Sequence, residues 1–290
     1  MRHTTQDDII EGPTFLCHGL RIGFESNHES IFEKLNAILP PGWRRIDATD
    51  LDFRYSFMLG DRGQLSKAYL GPQEVIRARS MDRVLSVTAS HIEHTIAEHS
   101  RESTFIHAGV IGWRGRAVLF PGRSWAGKST LVRALLRQGA VYFSDEFAVI
   151  DSRGLVHPFA RPLSLRLASG RAALYPEQIG AKVGTRPLPA GAVIVTRYAP
   201  NGVWRPVLLS RGRAFLELLR HTVAVRSNPV RSIECVKHLV CSGIAIQSTR
   251  SEAEATATLI LRTVDEFTKR KKKEISNGKI HATFYRAARS

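Results

Sequence analysis

The chain has 290 residues, enough for one large domain or two ordinary ones, and its 43% hydrophobic content suits a globular protein with a sizeable core. No apolar run is long enough to span a bilayer, Met1 to Glu11 is too polar for a secretory signal, and three cysteines without zinc spacing point to a reducing cytoplasm. The net charge of +16 is uneven: from Lys269 onward eight basic residues face one acid, Glu274, so that end carries +7 and the rest +9.

In chain order, Phe15 to Phe24 alternates as a strand does. Ser30-x-x-Glu33 is a capping box, and it predicts a helix from Ile31 to Leu39 that stops at Pro40-Pro41-Gly42. Phe53 to Leu59 and Lys67 to Leu70 read as strands on either side of an Asp61-Arg62-Gly63 turn. Met81 to His99 has helical spacing, with Met81, Val84, Leu85, Thr88, Ile92 and Ile96 on the buried stripe. His91, His94 and Glu98 fall off that stripe and read as a solvated polar face. Residues 1–100 are thus expected to form an N-terminal α+β region.

Arg116 to Phe120 is a short apolar run between Gly115 and Pro121, read as a buried strand. Gly122-Arg123-Ser124-Trp125-Ala126-Gly127-Lys128-Ser129 follows and is a complete G-x-x-x-x-G-K-S loop. Glycines let the backbone wrap so that the N–H groups of Ser124 to Lys128 point at polyphosphate oxygens, Lys128 reaches the β/γ-phosphates, and the Ser129 hydroxyl suits Mg²⁺. Thr130 to Gln138 is apolar at helical spacing, so a helix N-terminus adds partial positive charge there, and Gly139 is placed to end it. Gly122 through Thr130 is therefore the expected nucleotide-binding set.

Val141 to Ser144 reads as another buried strand ending in Asp145-Glu146. Strand, loop, helix and strand predict a right-handed βαβ unit whose parallel strands place both carboxylates at the ligand-binding edge, beside the loop. One acid suits Mg²⁺, and the other suits the proton of an attacking hydroxyl. Ala148 to Ile150 is apolar and Ser152-Arg153-Gly154 is a turn. Arg161 and Arg166 follow among prolines, and either is a candidate to neutralise charge on a transferring phosphoryl group. Ala192 to Thr196 reads as a strand, Ala214 to Val225 as a helix, and Asn228-Pro229 as the start of another running to about Val240. Gly243 to Gln247 reads as a last strand, and Ser251-x-x-Glu254 caps a helix to about Phe267. The domain expectation is residues 101–268 for the nucleotide-binding part and 269–290 for a flexible basic tail. That tail reads as a solvated end, so no specific nucleic-acid partner is expected.

These residues resemble the catalytic domain of the HPr kinase/phosphorylase family and its stand-alone serine-kinase relatives. The likeness runs through His107-Ala108-Gly109-Val110, Gly115 to Ser129, Ser144-Asp145-Glu146 and Pro158 to Arg166. It implies that Asp145 is the base on a serine hydroxyl, that Glu146 stands where the true HPr enzymes have aspartate, and that His107 lies near the reacting phosphate. Trp125 takes a position usually held by a small residue. The family's second signature has no copy here; Pro187-Leu188-Pro189-Ala190-Gly191 brings no acid to that region, which directs the comparison to relatives acting on peptides or free serine.

The expected fold is α/β, a phosphate-loop sheet of HPr-kinase-like and PEP-carboxykinase-like type with flanking helices. The expected reaction is ATP- and Mg²⁺-dependent transfer to a serine-type hydroxyl of a protein, peptide or small molecule. Asp145, Lys128, His107 and Arg166 form the catalytic set, and Ser129 and Glu146 the metal set. A homo-oligomer is expected from the resemblance. Two other classes stay open: an ATPase or GTPase switch, and a non-catalytic nucleotide-binding module.

Overall fold

His18 and Gly19 take φ of 49° and 81°, the left-handed pair that a two-residue hairpin turn needs, and Phe15 to Phe24 is accordingly split by a turn rather than being one strand. The computed structural model describes residues 9–61, 63–123, 126–167 and 170–276, with backbone alone for 164–167, 170–172 and 271–276. The chain divides into two units, residues 1–102 and 103–290.

In the first unit, β1 (Ile10–Cys17) and β2 (Leu20–Ser26) form the hairpin, followed by a 3-10 helix (Glu29–Ala37). The cap of that helix is His28, whose ring nitrogen accepts from the Ser30 N–H; the capping box expected at Ser30 does not form. Next come β3 (Arg44–Ile46), β4 (Phe53–Met58), β5 (Ser66–Leu70) and β6 (Gln73–Ala78), then α1 (Met81–His99). The six strands order as β3-β1-β2-β4-β5-β6. Helix α1 starts at Ser80, whose hydroxyl accepts from the Arg83 N–H, and buries Val84, Thr88, Ile92 and Ile96 as its periodicity requires. His91 departs from the solvated reading. Its ring nitrogen lies 3.0 Å from the Tyr55 hydroxyl, and burial pushes its pKa down, helped by His94.

The second unit opens with the long β7 (Ser103–Trp113), turns at Arg114 and Gly115 (φ 49° and 74°), and returns along β8 (Arg116–Pro121). Then follow α2 (Lys128–Arg137), β9 (Val141–Ser144), β10 (Phe147–Asp151), β11 (Leu155–His157) and the hairpin of β12 (Leu163–Leu167) and β13 (Gly170–Leu174). The chain ends with β14 (Leu188–Tyr198), β15 (Val207–Leu208), α3 (Arg211–His221), α4 (Pro229–Ser242), β16 (Ile244–Arg250) and α5 (Ala253–Ser276). The main sheet runs β11-β10-β7-β8-β14-β16-β15, with β9 beside β7 and β11 also paired to β14, so its pairings close on themselves.

Its central strands β7, β8 and β10 are largely buried, and both faces are covered. Val118, Phe120, Ile194 and Ile246 pack with Leu131 and Leu135 of α2 and with Ile260 and Val264 of α5. Ala117, Leu119, Val193 and Ile106 pack with Leu218 of α3 and with Val236 and Leu239 of α4. The architecture is therefore mixed α/β.

Two further expectations need correction. First, β8 and β9 run in the same direction but are not neighbours; β7 lies between them, antiparallel to both. Second, α5 does not stop near Phe267 but continues to Ser276, so Lys269 to Lys273 lie on the helix rather than in a tail. Cations suit a helix C-terminus, where backbone carbonyls present partial negative charge. Among the described residues, no helix is long and apolar enough to cross a membrane.

Candidate functional site

The turn from β8 into α2 is built around Gly127. It is the N-cap of α2 in the left-handed conformation (φ 76°), and its carbonyl accepts the first helical bond, from the Leu131 N–H at 3.0 Å. Ahead of it, the Ala126 N–H donates to the Arg123 carbonyl at 3.2 Å, and the Gly122 N–H to the His107 carbonyl at 3.2 Å. Ser124 and Trp125 lie outside the described residues. Ser129 and Thr130 occupy the first turn of α2, where the N–H groups have no intrahelical acceptor.

Lys128 is only 7% exposed. Its ammonium folds back over the turn and donates to the carbonyls of Gly122 at 3.0 Å and Arg123 at 3.1 Å. Burial pushes its pKa down, against the opposing fields of Glu146 and Asp145. Gly109 explains how close α2 comes to β7: a Cβ there would lie 2.8 Å from Val132 Cγ2 and 3.7 Å from Lys128 Cβ.

The acids occupy the break between β9 and β10. Ser144 shapes it, its hydroxyl accepting from the N–H groups of Glu146 at 3.2 Å and Phe147 at 3.0 Å. The Ala108 N–H donates to the Glu146 carbonyl at 3.1 Å, tying the break to β7. Asp145 is 6% exposed, while the Glu146 side chain reaches solvent. His107 stands on β7 between the two segments. Its Nδ1 is 3.4 Å from Glu146 Oε1, and its ring rests on Phe147 with centroids 4.7 Å apart.

One edge of the sheet thus gathers His107, Gly122, Gly127, Lys128, Asp145 and Glu146. Arg166 lies on β12 with its side chain outside the described residues. The role of Arg161 visible here is played by its carbonyl.

Three residues were missed by sequence reasoning. The Tyr142 hydroxyl donates to the Arg161 carbonyl at 2.7 Å and lies 3.1 Å from Asp145 Oδ1. Burial, with the Asp145 charge, pushes that phenol far above its ordinary pKa, so it stays a proton donor. His221 ends α3. Burial pushes its pKa down; Glu217 opposes, while His107, Lys128 and Arg123 add to the fall. Arg250 ends β16 and donates to the Gly127 carbonyl at 3.4 Å. A sequence signal existed for Tyr142, a polar-tipped residue three positions before an acid. None existed for His221, which tertiary packing alone brings in.

The chain resembles solved structures in outline. Over 58% of its length it is similar to the HPr(Ser) kinase/phosphatase from Coxiella burnetii, of which 98% is covered, at 16% identity and a TM-score of 0.36. A likeness at that score carries no argument about this chain's chemistry. No family model matches the chain, and no curated protein matches it.

Proposed function

We propose that the chain is an ATP- and Mg²⁺-dependent kinase that transfers the γ-phosphoryl group to a serine-type hydroxyl of a protein, peptide or small molecule. One observation carries this reading: the buried Lys128 ammonium is held by the Gly122 and Arg123 carbonyls within the fields of Asp145 and Glu146, on the same sheet edge.

The residues present fit a nucleotide. A lysine whose pKa is depressed by burial is stabilised by a polyphosphate, which replaces two neutral carbonyl partners with charged oxygens. The N–H groups of the first turn of α2 supply further donors. Ser129 and Glu146 would hold Mg²⁺, which neutralises charge on the β- and γ-oxygens.

In the proposed step the acceptor oxygen attacks the γ-phosphorus, the bond from that phosphorus to the β–γ bridging oxygen breaks, and ADP leaves. The acceptor proton passes to Asp145, whose position the Tyr142 hydroxyl helps to hold. Lys128 stabilises the charge moving toward the leaving oxygen, and His107, against Glu146, lines the floor between loop and acids. Positioning and electrostatics supply most of the acceleration, since phosphoryl transfer asks little covalent chemistry of a protein.

The test is incubation with γ-labelled ATP, Mg²⁺ and extract from the native host. The expected result is a labelled acceptor whose phosphate sits on a hydroxyl. Label released as free phosphate, with no labelled acceptor, replaces the kinase with a hydrolytic switch. Tight binding without turnover leaves a nucleotide-binding module.

A further inference from the structure

The turn from β8 into α2 has two flanks. On one, across β7, lie Asp145 and Glu146. On the other lie β14 and β16, both parallel to β8, so their C-terminal ends reach the same sheet edge. Arg250 is the last residue of β16 and stands at that edge.

Arg250 is 3% exposed, yet among the described residues no carboxylate forms an ion pair with it. Its Nη1 donates to the Ser251 carbonyl at 3.1 Å and its Nη2 to the Gly127 carbonyl at 3.4 Å, while its buried Nε has no hydrogen-bond partner among the described residues. The Tyr198 ring centre is 5.6 Å from the guanidinium carbon. The nearby Glu252 accepts instead from the Tyr198 hydroxyl, at 2.7 Å. Burial pushes the arginine pKa down, with Glu252 and Tyr198 opposing. A buried guanidinium without a carboxylate is costly, and apolar replacements of such groups are often neutral or stabilising. Fold stability alone therefore gives no reason for an arginine here.

The approach to Gly127 gives one. A Cβ at position 127 would lie 2.8 Å from Nη2, so the glycine serves both the left-handed turn and the arginine behind it.

We infer that Arg250 is a positioning residue of the nucleotide site: it braces the β8–α2 turn through the Gly127 carbonyl, and its positive charge, held without an ion-paired carboxylate, adds to the field that a bound polyphosphate meets. This rests on the phosphate-binding reading of the loop. The charge of Arg250 complements Lys128 from the flank opposite the acids, so the ligand class is a di- or triphosphate.

The test uses the full chain as wild type, Arg250→Met and Arg250→Lys, with calorimetric titration of MgATP, inorganic tripolyphosphate and AMP, and thermal melts without ligand. Arg250→Met is expected to bind MgATP and tripolyphosphate about tenfold more weakly or worse. The loss for AMP is smaller, Arg250→Lys recovers part of the affinity, and ligand-free Arg250→Met melts no lower than wild type. Unchanged MgATP affinity in Arg250→Met overturns the inference. So does an equal loss for MgATP and AMP together with a lower melting temperature, which marks a structural strut. A wild type that binds neither MgATP nor tripolyphosphate fails the phosphate-loop reading itself, and the inference with it.

Discussion

Asp145 and Lys128 sit within one another's fields while both are almost wholly buried, and the consequences can be tested one side chain at a time. Lys128→Ala removes the ammonium proposed to meet the phosphates; transfer from γ-labelled ATP is expected to be abolished, with weaker ATP binding by calorimetry. Asp145→Asn keeps the shape and loses the proposed base. It is expected to bind ATP as wild type does while transfer falls by about 10² to 10⁴. A fully active Asp145→Asn variant would remove Asp145 from the proton-transfer role. Tyr142→Phe deletes the hydroxyl at Asp145 Oδ1 and leaves the ring packed. The expected change is a kcat lower by about tenfold with KM for ATP unmoved, since the lost bond, about 1–3 kcal/mol, acts on the base and not on the nucleotide.

At the scale of elements, two left-handed glycines separate two costs. Gly139 ends α2 at φ 88° with open space where a Cβ would go, so Gly139→Ala is expected to cost about 1 kcal/mol from backbone strain alone. Gly154 adopts φ 75° between β10 and β11, and a Cβ there would run into the His238 ring on α4. Gly154→Ala is therefore expected to cost more, about 2–3 kcal/mol, read from denaturant midpoints. The same elements show what the sequence discloses. Helices α1, α2 and α4 are legible because capping residues and apolar stripes are local signals, and Asn228 does cap α4 through the Arg231 N–H. The strand partners are not legible. An apolar run such as Val141 to Ser144 fits beside any strand, so nothing local announces that β7 separates it from β8. The loop and acids could be placed at one edge because chain direction alone settles which end of each strand they occupy. The Tyr142–Asp145 contact and the approach of Arg250 depend on packing between distant segments, so no spacing rule finds them.

For the whole molecule, the titrating groups give a pH dependence with a definite sign. His91 in the first unit and His221 in the second both have folded pKa values pushed below the ordinary 6.5, chiefly by burial. The unfolded chain then takes up protons first, so their stabilising contribution is complete above 6.5 and is lost as pH falls through the folded values. Melting temperature is expected to drop between pH 7 and pH 5, and less steeply in a His91→Asn/His221→Asn double variant. A second loss follows at lower pH. For Asp52 and Asp151 burial works upward on the pKa, but it is outweighed, by the Arg21 N–H and Arg101 at Asp52 and by His157, the Leu155 N–H and Arg153 at Asp151. Both carboxyls are held below the ordinary 3.8, so their contribution disappears only as pH falls through that lower range.

Strand β7 has a further consequence. It is the antiparallel partner of β8, β9 and β10 at once, and all four strands together with α2 come from one uninterrupted stretch, residues 103–151. Closures within that stretch reach at most from Ser103 to Asp151, shorter than the one from Ala117 to Ala190 that brings in β14, so their entropy cost is the smaller. The sheet edge that holds Lys128 and Asp145 is therefore expected to gain amide protection early in refolding, before β14 and β16 have docked.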